Sequence, residues 1–147
     1  MFSEFNEQFF PIVQVTFNHR PNNDEEIQMF LNHWLQYYQN KKDFTFYFDT
    51  LNLNSPHPKY CIQMSLFIKE LRKKEYQYLK KSIILINDNR IKWMLEFIFW
   101  IQPPVAPVYI YHINNGIGEN IKHNIEMIMN HPLTVTIEAG KPLLPIF

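Results

Sequence analysis

The chain has 147 residues, 46% of them hydrophobic, and its 14 basic and 14 acidic side chains give a formal net charge of zero. This length suits one domain that buries its own core, and the single cysteine, Cys61, excludes a disulfide within the chain. Balanced charge provides no positive field that would attract nucleic acid, so we expect no nucleic-acid partner. We therefore predict one domain over residues 1–147, located in the reducing cytoplasm.

The first ten residues alternate Phe with polar side chains and lack the basic start and apolar run of a secretory signal. The longest apolar run, at residues 97–101, is far shorter than the roughly 20 residues that cross a bilayer. We expect no transmembrane segment. Glycine is scarce whereas Asn, Ile, Lys, Tyr and Phe are abundant, which is typical of AT-rich genomes such as those of some protists and large DNA viruses.

The first half of the chain predicts two strands, each followed by an amphipathic helix. Ile12 to Phe17 has the composition of a short strand, and Asp24 is placed to cap a helix whose apolar side chains share one side. Phe44 to Phe48 is a run of aromatic and β-branched residues, so we expect a central strand that is buried on both faces and ends at Asp49. Apolar residues at helical spacing predict the second helix over 60–74.

The second half of the chain continues the alternation. Residues 82–86 and 108–111 are predicted as two more buried strands, with a helix over 91–101 between them. A helix whose core stripe contains Ile121, Ile125 and Ile128 follows the last of these strands.

The remaining segment at the carboxyl end has two parts. Leu133 to Ile137 alternates in polarity and predicts an edge strand, and residues 139–147 are predicted as an irregular, Pro-rich tail. Strands with no solvent-exposed face, separated by helices of ten or more residues, indicate an α/β fold. We predict a mainly parallel sheet of four to five strands covered by helices.

The centre of the chain resembles a known family. The strand Phe44 to Asp49, the polar loop after it, the amphipathic helix that ends in charged residues and the strand Ser82 to Ile86 resemble the central unit of STAS domains. These are the anti-sigma-factor antagonist-like modules also found on anion transporters. The resemblance spans roughly residues 12 to 129 and implies a STAS-like fold.

The resemblance also implies where a regulatory site would lie. In regulatory STAS domains a serine at the start of the helix after the second strand is phosphorylated, usually within an Asp-Ser-Ser-Gly-like motif. This chain has Asn54-Ser55-Pro56-His57-Pro58 there, so that signature is missing and Ser55 is a candidate by position. A simpler interpretation is that Ser55 opens a turn.

The helix over 91–101 is apolar on two opposite sides. One stripe suffices to dock a helix, yet Trp93, Phe97 and Trp100 form a second apolar patch opposite the first. Such a patch is seldom left in water, and Trp and Phe are enriched in interface cores. We predict that these three residues form an interface, with Ile62 and Leu66 as a candidate second patch. The alternative is a cover from the amino-terminal Phe-rich segment or the carboxyl-terminal tail of the same chain.

These patterns favour a non-enzymatic protein-interaction or assembly module. Its partner would be a second copy or another protein, which makes the chain a homo-oligomer or a subunit of a larger assembly; we expect no cofactor and no metal site. A second hypothesis is a small ligand-binding protein or enzyme whose site contains Asp49, Ser55 and His57, since ligands bind at the carboxyl ends of strands in open α/β sheets. A third is binding of an apolar ligand or lipid beneath the aromatic helix.

Overall fold

Six strands form one sheet in the computed structural model, which describes residues 1–140. In chain order the strands are β1 (Ser3–Phe9), β2 (Ile12–Phe17), β3 (Phe44–Asp49), β4 (Leu79–Ile86), β5 (Val108–His112) and β6 (Val135–Ile137). They lie side by side in this same order. Strands β2 to β5 are parallel, whereas β1 and β6 are antiparallel to their neighbours at the two edges. The predicted α/β class is confirmed, but the sheet has six strands rather than four to five.

The additional strand is β1, which forms a hairpin with β2. Ser3 pairs with Phe17 and Phe5 with Val15. Only alternate side chains of β1 reach the core, so its sequence lacks the continuous β-branched and aromatic run that marks β3. The predicted edge strand at the other end is confirmed, because β6 pairs with β5.

Within residues 1–140, four α-helices cover the sheet: α1 (Asp24–Gln39), α2 (Pro58–Leu71), α3 (Asn89–Ile101) and α4 (Ile121–Asn130); a short 3-10 helix over Ile113–Asn115 follows β5. Helices α1 to α3 pack on one face of the sheet in a large core cluster, and α4 packs on the opposite face in a smaller one. No helix in the described part of the chain combines the length and apolar character needed to cross a membrane.

Strand β3 is the centre of the core and is buried on both faces, as predicted. Phe46 is fully buried towards the helices and its ring lies 4.9 Å from that of Trp34 on α1. On the other face, Asn124 of α4 donates a hydrogen bond to the Tyr47 hydroxyl at 3.3 Å. Residues of one strand therefore join both helical layers to the sheet.

Several helix ends differ from the prediction: α2 and α3 each begin two residues earlier, and hydrogen bonds explain two further differences. Asn23, not Asp24, caps α1, because its side chain accepts a hydrogen bond from the Glu26 amide at 3.0 Å. Helix α2 ends at Leu71 rather than at Lys74, since the amide of Lys74 bonds to the Leu71 carbonyl three residues earlier and tightens the chain out of the α-helix. The predicted tail over 139–147 lies outside the described residues except for its first two, which are in no helix or strand.

Candidate functional site

Helix α3 is positioned by its cap and its inner stripe. The Asp88 carboxylate accepts from the Arg90 amide at 2.8 Å and pairs with the Arg90 guanidinium at 2.6 Å, which fixes the first turn. The same pair lowers the pKa of Asp88. On the inner stripe, Ile91 and Leu95 are buried in the core cluster against the sheet, and Ile98 is buried in a small cluster with residues of α2. The opposite side of α3 therefore points away from the sheet.

That opposite side carries the aromatic residues. Trp93, Phe97 and Trp100, which we call the aromatic face, are 62%, 41% and 57% exposed. The amino-terminal segment does not cover them, because β1 lies at the far edge of the sheet, where the Phe5 ring stacks on His33 of α1 at 3.8 Å. The carboxyl-terminal alternative falls on residues 141–147, which lie outside the described residues.

The neighbouring helix presents a second exposed apolar pair. Ile62 and Leu66 of α2 are 49% and 57% exposed. The two helices pack side by side, because Ser65 donates a hydrogen bond to the Ile98 carbonyl at 3.3 Å and Cys61 lies in one buried cluster with Ile98. The apolar residues of α2 and α3 therefore share one side of the molecule.

Helical spacing places parts of these two sets at the seam between the helices. Ile62 lies one turn before Ser65, which contacts α3, and Phe97 lies one turn after Met94, which packs into the shared cluster.

We call the aromatic face together with Ile62 and Leu66 the α2–α3 outer surface. The same two helices also carry exposed charged side chains: Lys69 and Glu70 on α2 and Glu96 on α3. An apolar centre with a charged rim is the usual composition of a protein interface.

The predicted residues Asp49, Ser55 and His57 lie in or next to the loop between β3 and α2, and their contacts shape that loop. Asp49, half-buried at the end of β3, accepts a hydrogen bond from the Leu51 amide at 3.0 Å. His57 caps α2, because its Nδ1 accepts from the Lys59 amide at 3.1 Å. Asn54 and Ser55 between them have positive φ angles of 54° and 36°. Asn tolerates this region, but Ser there is uncommon and marks a tightly wound loop.

Cys61 is buried on the inner side of α2, whereas His57 is exposed. Burial raises the pKa of the Cys61 thiol, which disfavours the thiolate that nucleophilic chemistry requires. Within residues 1–140, no cluster gathers three or more His, Cys, Asp or Glu side chains that could hold a metal ion.

Arg72 has a larger structural role than the sequence indicates. Its position in a basic run at a helix end favours a solvated side chain, yet its guanidinium donates to the Gln102 side chain at 3.0 Å and to the carbonyls of Pro103 and Gly140. Burial lowers its pKa. Arg72 thus joins the carboxyl-terminal ends of α2 and α3 to the chain after β6. No local signal reveals this, because the partners are about 30 or more residues away in sequence.

Comparison of the chain with protein-family models, with curated proteins and with solved structures finds no match.

Proposed function

We propose that this domain is a non-enzymatic interaction module that binds a second copy of itself through the α2–α3 outer surface. The observation that carries the proposal is the exposure of three large aromatic side chains on one face of a single helix. Trp and other aromatic residues dominate the binding energy of protein interfaces when they are buried at the centre. Ile62 and Leu66 extend the apolar centre across the seam to α2.

Net charge supports a second copy as the partner. The formal net charge is zero, so two copies experience no net repulsion when they approach each other. Symmetric dimers use the same surface on both subunits, and the α2–α3 outer surface offers an apolar centre to pair with itself. A different protein would bind the same α2–α3 outer surface, but identifying it would require separate binding experiments.

The remaining candidate residues support a non-enzymatic role. Asp49 and His57 each accept a hydrogen bond from a backbone amide two residues later, so both side chains are engaged in shaping the loop. The buried thiol of Cys61 stays protonated because its pKa is raised. An alternative ligand-binding or phosphorylation site at Asp49, Ser55 and His57 would have to break or share these loop contacts.

A STAS-like fold remains our proposal for the family. The succession of β3, the loop before α2, α2 itself and β4 supports it, since these are the elements on which the resemblance rests. Its regulatory part would act at Ser55, two residues before the cap of α2, where a phosphate lies close to free helix amides.

Mass measurement by light scattering across a dilution series tests the proposed interface. Wild type should form a dimer or larger oligomer that dissociates on dilution, and Trp93→Ala with Trp100→Ala should be monomeric at the same concentrations. Truncating an interface anchor costs about 2 kcal/mol or more, so the double variant should dissociate at least 30-fold more readily. Leu133→Ala, which removes an exposed apolar residue after α4, is the matched control and should assemble as wild type does. Equal assembly of wild type and the double variant would refute the proposed interface.

A further inference from the structure

A cavity of about 130 Å³ lies between the sheet and the layer formed by α1 to α3. Its lining runs from the carboxyl-terminal end of the parallel strands, at Thr50 and Leu53, to the opposite end of the sheet, at Leu79 and Val108. Trp34 of α1 contributes to the wall between these ends. The cavity thus lies under the helices, separate from the α2–α3 outer surface, which points away from the sheet.

Small side chains at three lining positions leave the space open. Cys61 on α2, Ser82 on β4 and Ala106 before β5 line the cavity among much larger aliphatic and aromatic residues. Ser82 and Ile84 alternate with Ile83 along β4, so both point to the helix layer, while Ile83 belongs to the core on the α4 side. Protein cores are normally packed without voids of this size, because each lost contact reduces stability.

The chemistry of the wall restricts what the cavity can hold. Among residues 1–140, the lining contains no Asp, Glu, Lys, Arg or His, so a charged group inside would have no ionic partner. An engineered apolar cavity of about 150 Å³, in another protein, stays free of water and binds benzene or xenon. The volume here is similar, which suits a group with the cross-section of a benzene ring.

Some side chains that line the cavity also provide a route by which a ligand can enter it. Met64 on α2, and Met94 and Phe99 on α3, line it and are half-buried rather than fully buried. Methionine has three rotatable bonds and adapts easily to a new neighbour. Movement of Met64 and Met94 would open the space from the helix layer without any change in the sheet.

We propose that this cavity is a binding site for an uncharged hydrocarbon group, either a small free apolar molecule or the end of an acyl chain. The site needs no partner chain and does not depend on the proposed interface. Binding would consist of burial of the hydrocarbon among aliphatic and aromatic side chains, with no bond made or broken.

Titration with benzene, followed by methyl NMR of the isoleucines and methionines, tests the site. Wild type should show saturable shifts confined to lining residues such as Ile84 and Met94. Ala106→Leu fills the cavity and should weaken benzene binding at least tenfold, whereas Ala139→Leu makes the same substitution at an exposed position and should bind as wild type does. Ser82→Val is a second filling variant in case Ala106→Leu does not fold.

The same titration with octanoate, and incubation with phosphatidylcholine vesicles before native mass spectrometry, distinguish the two sources of hydrocarbon. Tighter binding of octanoate than of benzene, or a retained lipid that Ala106→Leu loses, identifies an acyl chain. Preference for benzene identifies a small free molecule. Absence of saturable shifts in wild type, or equal binding by the filled variants, would overturn the proposal.

Discussion

Arg72 shows how one side chain can connect elements that are distant in sequence. We predict that Arg72→Met, which keeps the apolar stem, lowers the free energy of unfolding by about 2 kcal/mol, because hydrogen bonds of a charged donor to Gln102, Pro103 and Gly140 are lost. Urea denaturation measures this. Lys73→Met is the matched control: its exposed ion pair with Glu70 contributes less than about 1 kcal/mol. Equal losses in the two variants would mean that the guanidinium contacts add nothing.

His33 links stability to pH at the residue scale. Burial beneath the hairpin lowers its pKa below the ordinary value of 6.5, and the nearby Glu7 charge opposes this only in part. The unfolded chain then binds the proton more tightly, so the stability contributed by neutral His33 is present above pH 6.5 and is lost as the pH falls below it.

His33→Phe keeps an aromatic ring against Phe5 and removes the titration. We expect the free energy of unfolding of this variant to decrease less than that of wild type as the pH falls below 6.5. Denaturation at a series of pH values measures the difference, with His123→Gln on the exposed side of α4 as the control. Parallel pH profiles for wild type and His33→Phe would show that protonation of His33 is not coupled to unfolding.

At the element scale, the two sides of α3 have different roles. The inner side contributes to folding stability, and the outer side carries the proposed interface. Ile98→Ala removes a fully packed side chain and should cost about 2–5 kcal/mol of stability. Trp100→Ala changes an exposed side chain and should cost less than about 1 kcal/mol in dilute, monomeric protein. Chemical denaturation below the dissociation concentration compares them. A loss for Trp100→Ala as large as that for Ile98→Ala would mean that another part of the same chain covers the aromatic face.

The sequence predicts the central helices and strands of this fold better than it predicts the strand at the edge of the sheet and the ends of the helices. Continuous apolar runs mark β3, and the double stripe of α3 is visible because a helix needs only one apolar side. Strand β1 is missed although Phe alternates with polar residues there, because alternation is a weaker strand signal than a continuous apolar run and the pairing of β1 with β2 depends on the hairpin. The contacts of Arg72 with Gln102, Pro103 and Gly140, and the cavity between the sheet and helices α1 to α3, also depend on residues far apart along the chain, so no local pattern predicts them.

At the scale of the whole molecule, the two faces of the sheet differ in what they leave to solvent. The face that carries α4 is polar where this helix does not reach, for example at Gln14 and Thr16 of β2, which are half-buried. The other face is covered by three helices, and the outer sides of two of them are apolar. Five of the exposed large apolar residues, Ile62, Leu66, Trp93, Phe97 and Trp100, therefore lie together on the α2–α3 outer surface, where the proposed partner would bind.

The tryptophans permit a direct test of this proposal. The chain contains three, of which Trp34 is buried in the core and Trp93 and Trp100 lie on the aromatic face. Fluorine NMR of protein labelled with 5-fluorotryptophan, recorded from dilute to concentrated solution, gives one signal for each. The proposed interface predicts that the chemical shifts of the Trp93 and Trp100 signals change as the protein concentration rises and become insensitive to the solvent. The chemical shift of the Trp34 signal should stay constant. Trp93 and Trp100 signals that remain solvent-exposed and independent of concentration would contradict it.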